Sequence, residues 1–223
     1  MGRRWGKTVM GGSLSLATAS QGGSVAWIVP TYKNGRSLWR WAENTVSPLR
    51  KAKMATVNKT ERIIEFKNGG IFGIFSADNE DSVRGESFHL VVLDEAARIP
   101  ETAWTDAIQP TLADYDGDAI LISTPRGRNW FWQEYQRGVG DGKYQASWTA
   151  PTSANPSLRI REAARRAKER VTELTYRQEW LAEFVEAEGL VFRRVQEAAR
   201  LSPLSAPVKD RQYIAGVDVA AAV

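Results

Sequence analysis

Gly6-Lys7-Thr8, placed where a helix is expected to begin, is a residue set suited to holding phosphate. At such a position successive backbone N–H groups and the positive end of the helix face an anion. A lysine there reaches the β- and γ-phosphates, and a threonine hydroxyl ligates Mg²⁺. The usual spacing is G-x-x-x-x-G-K-[ST]; here Met1 stands at the first-glycine position and Gly2 falls one place late. Alone, Gly-Lys-Thr is as well explained by chance as by function.

A second feature changes that balance. The apolar run Leu90-Val91-Val92-Leu93 leads directly into Asp94-Glu95. A buried strand ending in two acids can set one to hold Mg²⁺ and the other to polarise an attacking water. The plainer alternative, a strand closing in a solvated acidic turn, loses weight once a Gly-Lys-Thr loop lies upstream. A third segment, Ala119-Ile120-Leu121-Ile122, ends in Ser123-Thr124-Pro125-Arg126-Gly127. Ser123 and Thr124 suit hydrogen bonding to a γ-phosphate or to the water, although Ser-Thr-Pro also suits an ordinary turn. Phosphate loop, acidic strand and Ser-Thr strand, in that order, are the layout of a RecA-like nucleotide hydrolase.

These motifs need elements to hold them. A helix is expected from Lys7-Thr8 toward Ala19, then a strand over Ser24–Val29 ended by Pro30. A helix around Gly35–Thr45 should close before Pro48, because the residue preceding a proline disfavours helical geometry. Residues 62–66 and 71–75, separated by Asn68-Gly69-Gly70, read as a β-hairpin. A helix over Glu101–Leu112 links the two apolar strands. The alternation predicts an α/β fold with a mainly parallel sheet. Beyond Asn155 the apolar positions Ile160, Ala163, Ala164, Ala167 and Val171 form one face of an arginine-rich helix, followed by another over Thr175–Phe184. A linker at Ser202–Pro207 precedes Tyr213–Asp218, a strand ending in an acid.

Composition narrows the chemistry. The 223 residues contain no cysteine and one histidine, His89. Disulfides and thiolate metal sites are excluded, and a histidine-based metal site or Ser-His-Asp triad is hard to build. Catalysis should rest on carboxylates, lysine and arginine. No apolar run reaches the length of a membrane span, and no apolar stretch follows the basic N-terminus as in a signal peptide. The net charge is +4 but unevenly spread: residues 33–67 hold nine Lys or Arg against three Glu, and residues 78–118 hold eleven acids against two Arg. The basic stretch is compatible with nucleic-acid contact, while a solvated face explains it as well. Trp27, Trp104, Trp130 and Trp148 are expected in the core rather than as base-stacking platforms.

With these residues in view, the chain resembles the large terminase subunits that pump DNA into phage capsids. Gly2-Arg3-Arg4-Trp5-Gly6-Lys7-Thr8 looks like that family's deviant, arginine-containing Walker A loop. Val29-Pro30-Thr31-Tyr32-Lys33, Ser82-Val83-Arg84-Gly85, Val91–Ala97 as Walker B and Ser123–Gly127 as coupling motif are similar to its further segments. Asn155-Pro156, Arg177–Phe184 and Gly189-Leu190-Val191-Phe192 resemble the stretch joining motor to nuclease. The resemblance implies an ASCE-type RecA-like P-loop ATPase. Gly2, Gly6, Lys7, Thr8 and Asp94 would bind ATP, with Thr8 and Asp94 on Mg²⁺. Glu95 would be the catalytic carboxylate, Arg3 or Arg4 the loop arginine, and Ser123 and Thr124 the coupling residues. Arg84 stands where some terminases present an arginine finger to a neighbour; pairing with Asp78, Glu80 or Asp81 is an equal alternative. Asp218 matches the first metal-binding aspartate of an RNase H-like nuclease.

The implied partners are double-stranded DNA, portal protein, small terminase subunit and further copies in a ring, in the host cytoplasm. The implied organisation is an ATPase core over 1–154 lacking its first strand, a helical linker subdomain over 155–200, a linker over 201–212, and the opening strand of a nuclease domain over 213–223. Nuclease activity is not expected from so short a part of that domain. The rivals are a superfamily 2 helicase or translocase, which shares Asp-Glu-Ala, and an inactive DNA-binding or assembly remnant.

Overall fold

The computed structural model describes residues 1–79, 82–140 and 144–185, which belong to one compact unit. In chain order its regular elements are α1 (Lys7–Ser20), β1 (Ser24–Val29), α2 (Arg36–Thr45), α3 (Ser47–Lys51), β2 (Ala55–Asn58), β3 (Ile63–Phe66), β4 (Ile71–Ser76), β5 (Leu90–Asp94), β6 (Asp118–Ile122), α4 (Trp130–Gly140), α5 (Leu158–Lys168) and α6 (Glu173–Glu179). The strands form one sheet in the order β2-β3-β4-β1-β5-β6. β1 pairs in parallel with both β4 and β5, and β5 in parallel with β6. β2, β3 and β4 extend one side as an antiparallel meander.

The unbroken apolar runs of β1 and β5 follow from their central place, where both faces are covered. Successive side chains point to opposite faces of a strand. Val25, Trp27 and Val29 accordingly pack with Leu16, Leu38 and Ala42 from α1 and α2, while Ala26 and Ile28 join Val91, Leu93, Ile99, Trp104 and Ile108 on the other side. The parallel strands place Val29, Asp94 and Ile122 at one edge of the sheet, so loops carrying chemistry collect there.

Several expectations hold: α1, β1, the β3–β4 hairpin, β5 and β6 lie where the residue pattern puts them. α2 ends at Thr45, and Pro48 opens α3 near its N-terminus, where its missing N–H costs nothing. The segment expected as one helix over Glu101–Leu112 differs. It winds as a π-helix over Ala103–Ile108 and tightens to a 3₁₀-helix over Gln109–Tyr115. Pro110 explains the change, since it lacks an N–H and its ring crowds the carbonyl four residues back. α6 stops at Glu179 rather than reaching Phe184, and Ala182 has a positive φ of 60°. Trp27, Trp104 and Trp130 are buried as expected, but Trp148 is 73% exposed.

Trp27 is fully buried, yet its Nε1–H has no hydrogen-bond partner among the described residues. An unpaired buried donor costs about 1–3 kcal/mol. Trp27→Phe removes that donor while keeping most of the ring, so it should lower unfolding free energy by no more than about 1.5 kcal/mol. Trp27→Ala should cost roughly 3–5 kcal/mol. Urea denaturation of both variants checks this; equal losses would show that the indole N–H is satisfied.

Candidate functional site

The loop Gly2–Gly6 and the first turn of α1 form one wall of a cavity of about 700 Å³. Gly6 caps the helix in the left-handed region, φ +88°, with open space around it, so backbone conformation selects glycine there. No side chain caps α1. Its first N–H groups have no partner within the helix either, and they remain directed at the cavity mouth as donors for an anion. Gly2 is needed for a different reason. A Cβ on it would lie 2.4 Å from Thr152 Oγ1 and 2.6 Å from the Trp180 carbonyl oxygen. The glycine one place late in the motif is therefore a packing residue.

Lys7 bends back over the loop, its Nζ donating to the carbonyls of Met1 at 2.9 Å and Gly2 at 3.1 Å. Burial pushes its ammonium below the usual range, against the pull of Glu95 and Asp94. Across from it, β5 delivers Asp94, which lines the cavity together with Thr8. Burial, and then the neighbouring Glu95 charge, push the Asp94 carboxyl up to about 6, against the Glu95 N–H, Lys7 and Thr8. The Glu95 N–H donates to Asp94 Oδ1 at 3.1 Å. Glu95 has φ 55° and ψ 42°, a conformation that a residue with a Cβ adopts only at a cost. That strain aims the second carboxylate into the cavity instead of along the strand.

Among the described residues no group of three or more His, Cys, Asp or Glu is placed to hold a metal. A hydroxyl and a single carboxylate fit Mg²⁺ bound mainly through substrate phosphates and water rather than in a protein cage. Thr124 lines the cavity. Ser123 is buried, accepting from the Ala97 N–H at 3.2 Å and donating to the Thr124 carbonyl at 2.9 Å. It ties the end of β6 to the turn after Glu95 instead of facing a ligand.

The loop is held from far along the chain. The Gly2 N–H donates to the Ala150 carbonyl at 2.9 Å, and the Arg3 N–H to that of Glu179 at 2.8 Å. Thr152 Oγ1 donates to the Arg3 carbonyl at 3.0 Å and Asn155 Nδ2 to that of Arg4 at 3.3 Å. Trp5 Nε1 donates to the Pro151 carbonyl at 2.8 Å. Arg3 pairs with Glu179 at 2.8 Å. Arg3, Arg4, Arg98 and Arg126 all line the cavity, with Gln178 and Glu179.

Ten of the twelve expected site residues are thus brought together around one cavity or its frame. Arg84 is exposed and does not line it. Asp218 lies outside the described residues, as do Glu80, Asp81, the Gly189–Phe192 motif and the strand over 213–218. The sequence reading did not single out Thr152, and saw Asn155, Gln178 and Glu179 only as parts of motifs. The partners of Thr152, Asn155 and Glu179 lie about 150 residues or more away in sequence, and no local pattern marks such pairs.

A model of the family described as terminase large subunit, T4likevirus-type, N-terminal, matches residues 1–199. The large terminase subunit of Thermus virus P23-45 is 36% identical over 132 residues, 52% of this chain and 27% of that protein; that of Escherichia phage T5 is 34% identical over 142 residues, 60% and 31%. The chain therefore spans about a quarter to a third of the length of these curated relatives. The large terminase ATPase domain of Thermus phage P74-26 superposes with a TM-score of 0.69 at 28% identity, covering 82% of this chain and 86% of that one. The α/β fold with a mixed, mostly parallel sheet is that of large terminase ATPase domains.

The raised Asp94 value makes a testable demand on the unliganded chain. Its folded pKa of about 6 exceeds the ordinary 3.8, so the folded state binds more proton between those values. Stability contributed by this group is full below about pH 4 and falls as pH rises toward 6. Asp94→Asn keeps an oxygen for the Glu95 N–H and removes the charge. It should be more stable than the parent at about pH 8, by on the order of 2 kcal/mol, with the gap closing toward about pH 4. Urea unfolding at both pH values measures this, and a gap independent of pH would mean that Asp94 is not perturbed.

Proposed function

The chain belongs to the terminase large-subunit family, and on that footing we propose that it is the ATP-hydrolysing portion of a motor that drives double-stranded DNA into a phage procapsid. The observation that carries this reading is the convergence on one cavity of Lys7, Thr8, Asp94 and the strained Glu95. A large terminase of a thermophilic bacteriophage is known in complex with ADP, and its fold matches this chain with a TM-score of 0.66 at 20% identity, over 86% of this chain and 50% of that one. That complex supports a nucleotide as the ligand.

In this reading the loop N–H groups and Lys7 bind the phosphates. Thr8 and Asp94 are the residues that would hold Mg²⁺, which when bound neutralises charge on the phosphate oxygens. Glu95 orients a water and takes its proton as the water oxygen attacks the γ-phosphorus; the bond to the bridging oxygen breaks, and ADP and inorganic phosphate leave. Arg3 or Arg4 compensates charge on the phosphates. Thr124, at the end of β6, reports hydrolysis to the sheet, and Ser123 carries that displacement to the turn beyond Glu95 through its bond to Ala97. Portal protein, small terminase subunit and further copies of the chain are the proposed assembly partners.

Lys7 acts on bound nucleotide in the ground state and Glu95 mainly in the transition state, so their variants should separate the two. Lys7→Ala should weaken ATP binding at least about tenfold, while Glu95→Gln binds ATP like the parent and loses about 10²–10⁴-fold in turnover. Equilibrium titration and phosphate release read these out; parental turnover by Glu95→Gln removes it as the catalytic carboxylate.

Arg84, exposed and away from its own chain's cavity, is proposed to serve a neighbour's nucleotide. An arginine supplied in trans makes turnover rise with protein concentration. Mixing Arg84→Ala with Lys7→Ala should partly restore activity, because each lacks a different half of a shared site. Failure to restore it, with turnover independent of concentration, would assign Arg84 a structural role.

A further inference from the structure

Helix α5 carries a feature that ATP hydrolysis does not use. At about 100° per residue, Arg159, Arg166 and Arg170 fall within a narrow arc along one side of α5 and the turn after it. Arg161, Arg165 and Lys168 occupy the other side. The first group, with Ala163, Ala167 and Val171, lines an open groove of about 420 Å³. All three arginines are exposed. The side chains of Arg159 and Arg170 have no ion-pair or hydrogen-bond partner among the described residues, and Arg166 Nε donates only to the Glu162 carbonyl one turn back, at 3.4 Å. Glu162, the acid within α5, is paired with Arg165 at 3.3 Å, and Glu169 stands at the C-terminal end of the helix, beside Arg170.

We propose that this groove is a contact surface for the phosphodiester backbone of duplex DNA, an inference that rests on the motor reading for the identity of the polyanion. Three like charges held along one helix side repel one another and are stabilised by an anion with charge at several points. The run from Arg159 to Arg170 spans about 16 Å along the axis, enough to meet more than one phosphate. The cations are arginines, whose planar guanidinium matches phosphate oxygens in pairs. Between them Ala163 and Ala167 present only methyl groups, so a backbone can approach closely. Apart from the guanidiniums the lining holds no amide, hydroxyl or carboxylate side chain to add base-edge contacts, as expected of a surface that meets mainly the backbone. The surface is also tied to the nucleotide: α5 starts three residues after Asn155, which holds the Arg4 carbonyl of the phosphate loop.

The test is fluorescence anisotropy of a labelled mixed-sequence duplex with the 223-residue chain across a salt series. R159Q/R166Q/R170Q should weaken binding at least tenfold at low salt and reduce the slope of log affinity against log salt by roughly 2.7, as expected for three lost phosphate contacts. R161Q/R165Q/K168Q should change both far less. R159K/R166K/R170K, which keeps the charge and guards against misfolding of the neutral variant, should keep the slope near the parent's. The proposal is overturned if the parent does not bind duplex DNA, if both neutral variants lose affinity equally, or if the groove variant binds DNA normally. Sedimentation velocity on the same samples identifies a second copy of the chain as the true occupant if the groove variant loses only self-association. ATP titration separates the two readings: DNA binding through the groove without any nucleotide binding would sink the motor reading and leave this surface standing.

Discussion

The structure depends on bringing two adjacent carboxylates and a lysine together where a buried strand ends. Asp94 and Glu95 are sequence neighbours, and a strand would normally send them to opposite faces. The left-handed turn at Glu95 overrides that alternation and turns both toward Lys7. Burial then acts on each partner in the direction that reduces its charge, raising Asp94 and lowering Lys7. Holding both groups in this way costs free energy, and in the proposed reading phosphate and its counter-cation would offset that cost.

That arrangement explains why the phosphate loop is fastened so heavily. A loop whose N–H groups must face a ligand cannot satisfy them internally, so its rigidity has to come from its carbonyls and its flanks. Thr152 and Asn155 hold two of those carbonyls, Lys7 two more, and Ala150 and Glu179 accept the N–H groups of Gly2 and Arg3. Gly2 lets the chain pass between Thr152 and Trp180. Arg4, with φ 60°, is a strained position that this frame must maintain. The bonds run between distant parts of the chain and couple the loop directly to the segment leading into α5 and to the end of α6.

What was legible in the sequence is what is local. Gly6-Lys7-Thr8, the apolar run into Asp94-Glu95 and the Asn68-Gly69-Gly70 turn each encode their geometry within a few residues. The half-exposed edge strand β2 escaped the reading because Ala-Thr-Val-Asn is short and weakly patterned. α4 escaped because the aromatic residues that begin it, Trp130 and Phe131, belong to a cluster assembled from other elements rather than to a clear helical stripe. Pro110 was visible, but the choice between breaking a helix and re-winding it is made by the burial of Trp104 and Ile108 on either side of the problem. The frame of the site was illegible for the same physical reason: Glu179 and Thr152 acquire meaning only when folding sets them beside Arg3.

The charge of the cavity decides which ligand the frame suits. Lys7, Arg3, Arg4, Arg98 and Arg126 face Asp94, Glu95 and Glu179, so cations outnumber carboxylates five to three. One arginine is already committed, since Arg3 is paired with Glu179. A neutral ligand would leave the remaining cations uncompensated in a partly desolvated space, whereas a polyphosphate matches them and accepts the loop N–H groups together. The two carboxylates then have a separate task from the cations. In the proposed reaction Asp94 and Thr8 would serve a counter-cation of the phosphates, and Glu95, turned off the strand by its left-handed backbone, would serve the water. That proposal divides binding and chemistry between the helix end and the strand end, with the left-handed turn at Glu95 separating the two carboxylates.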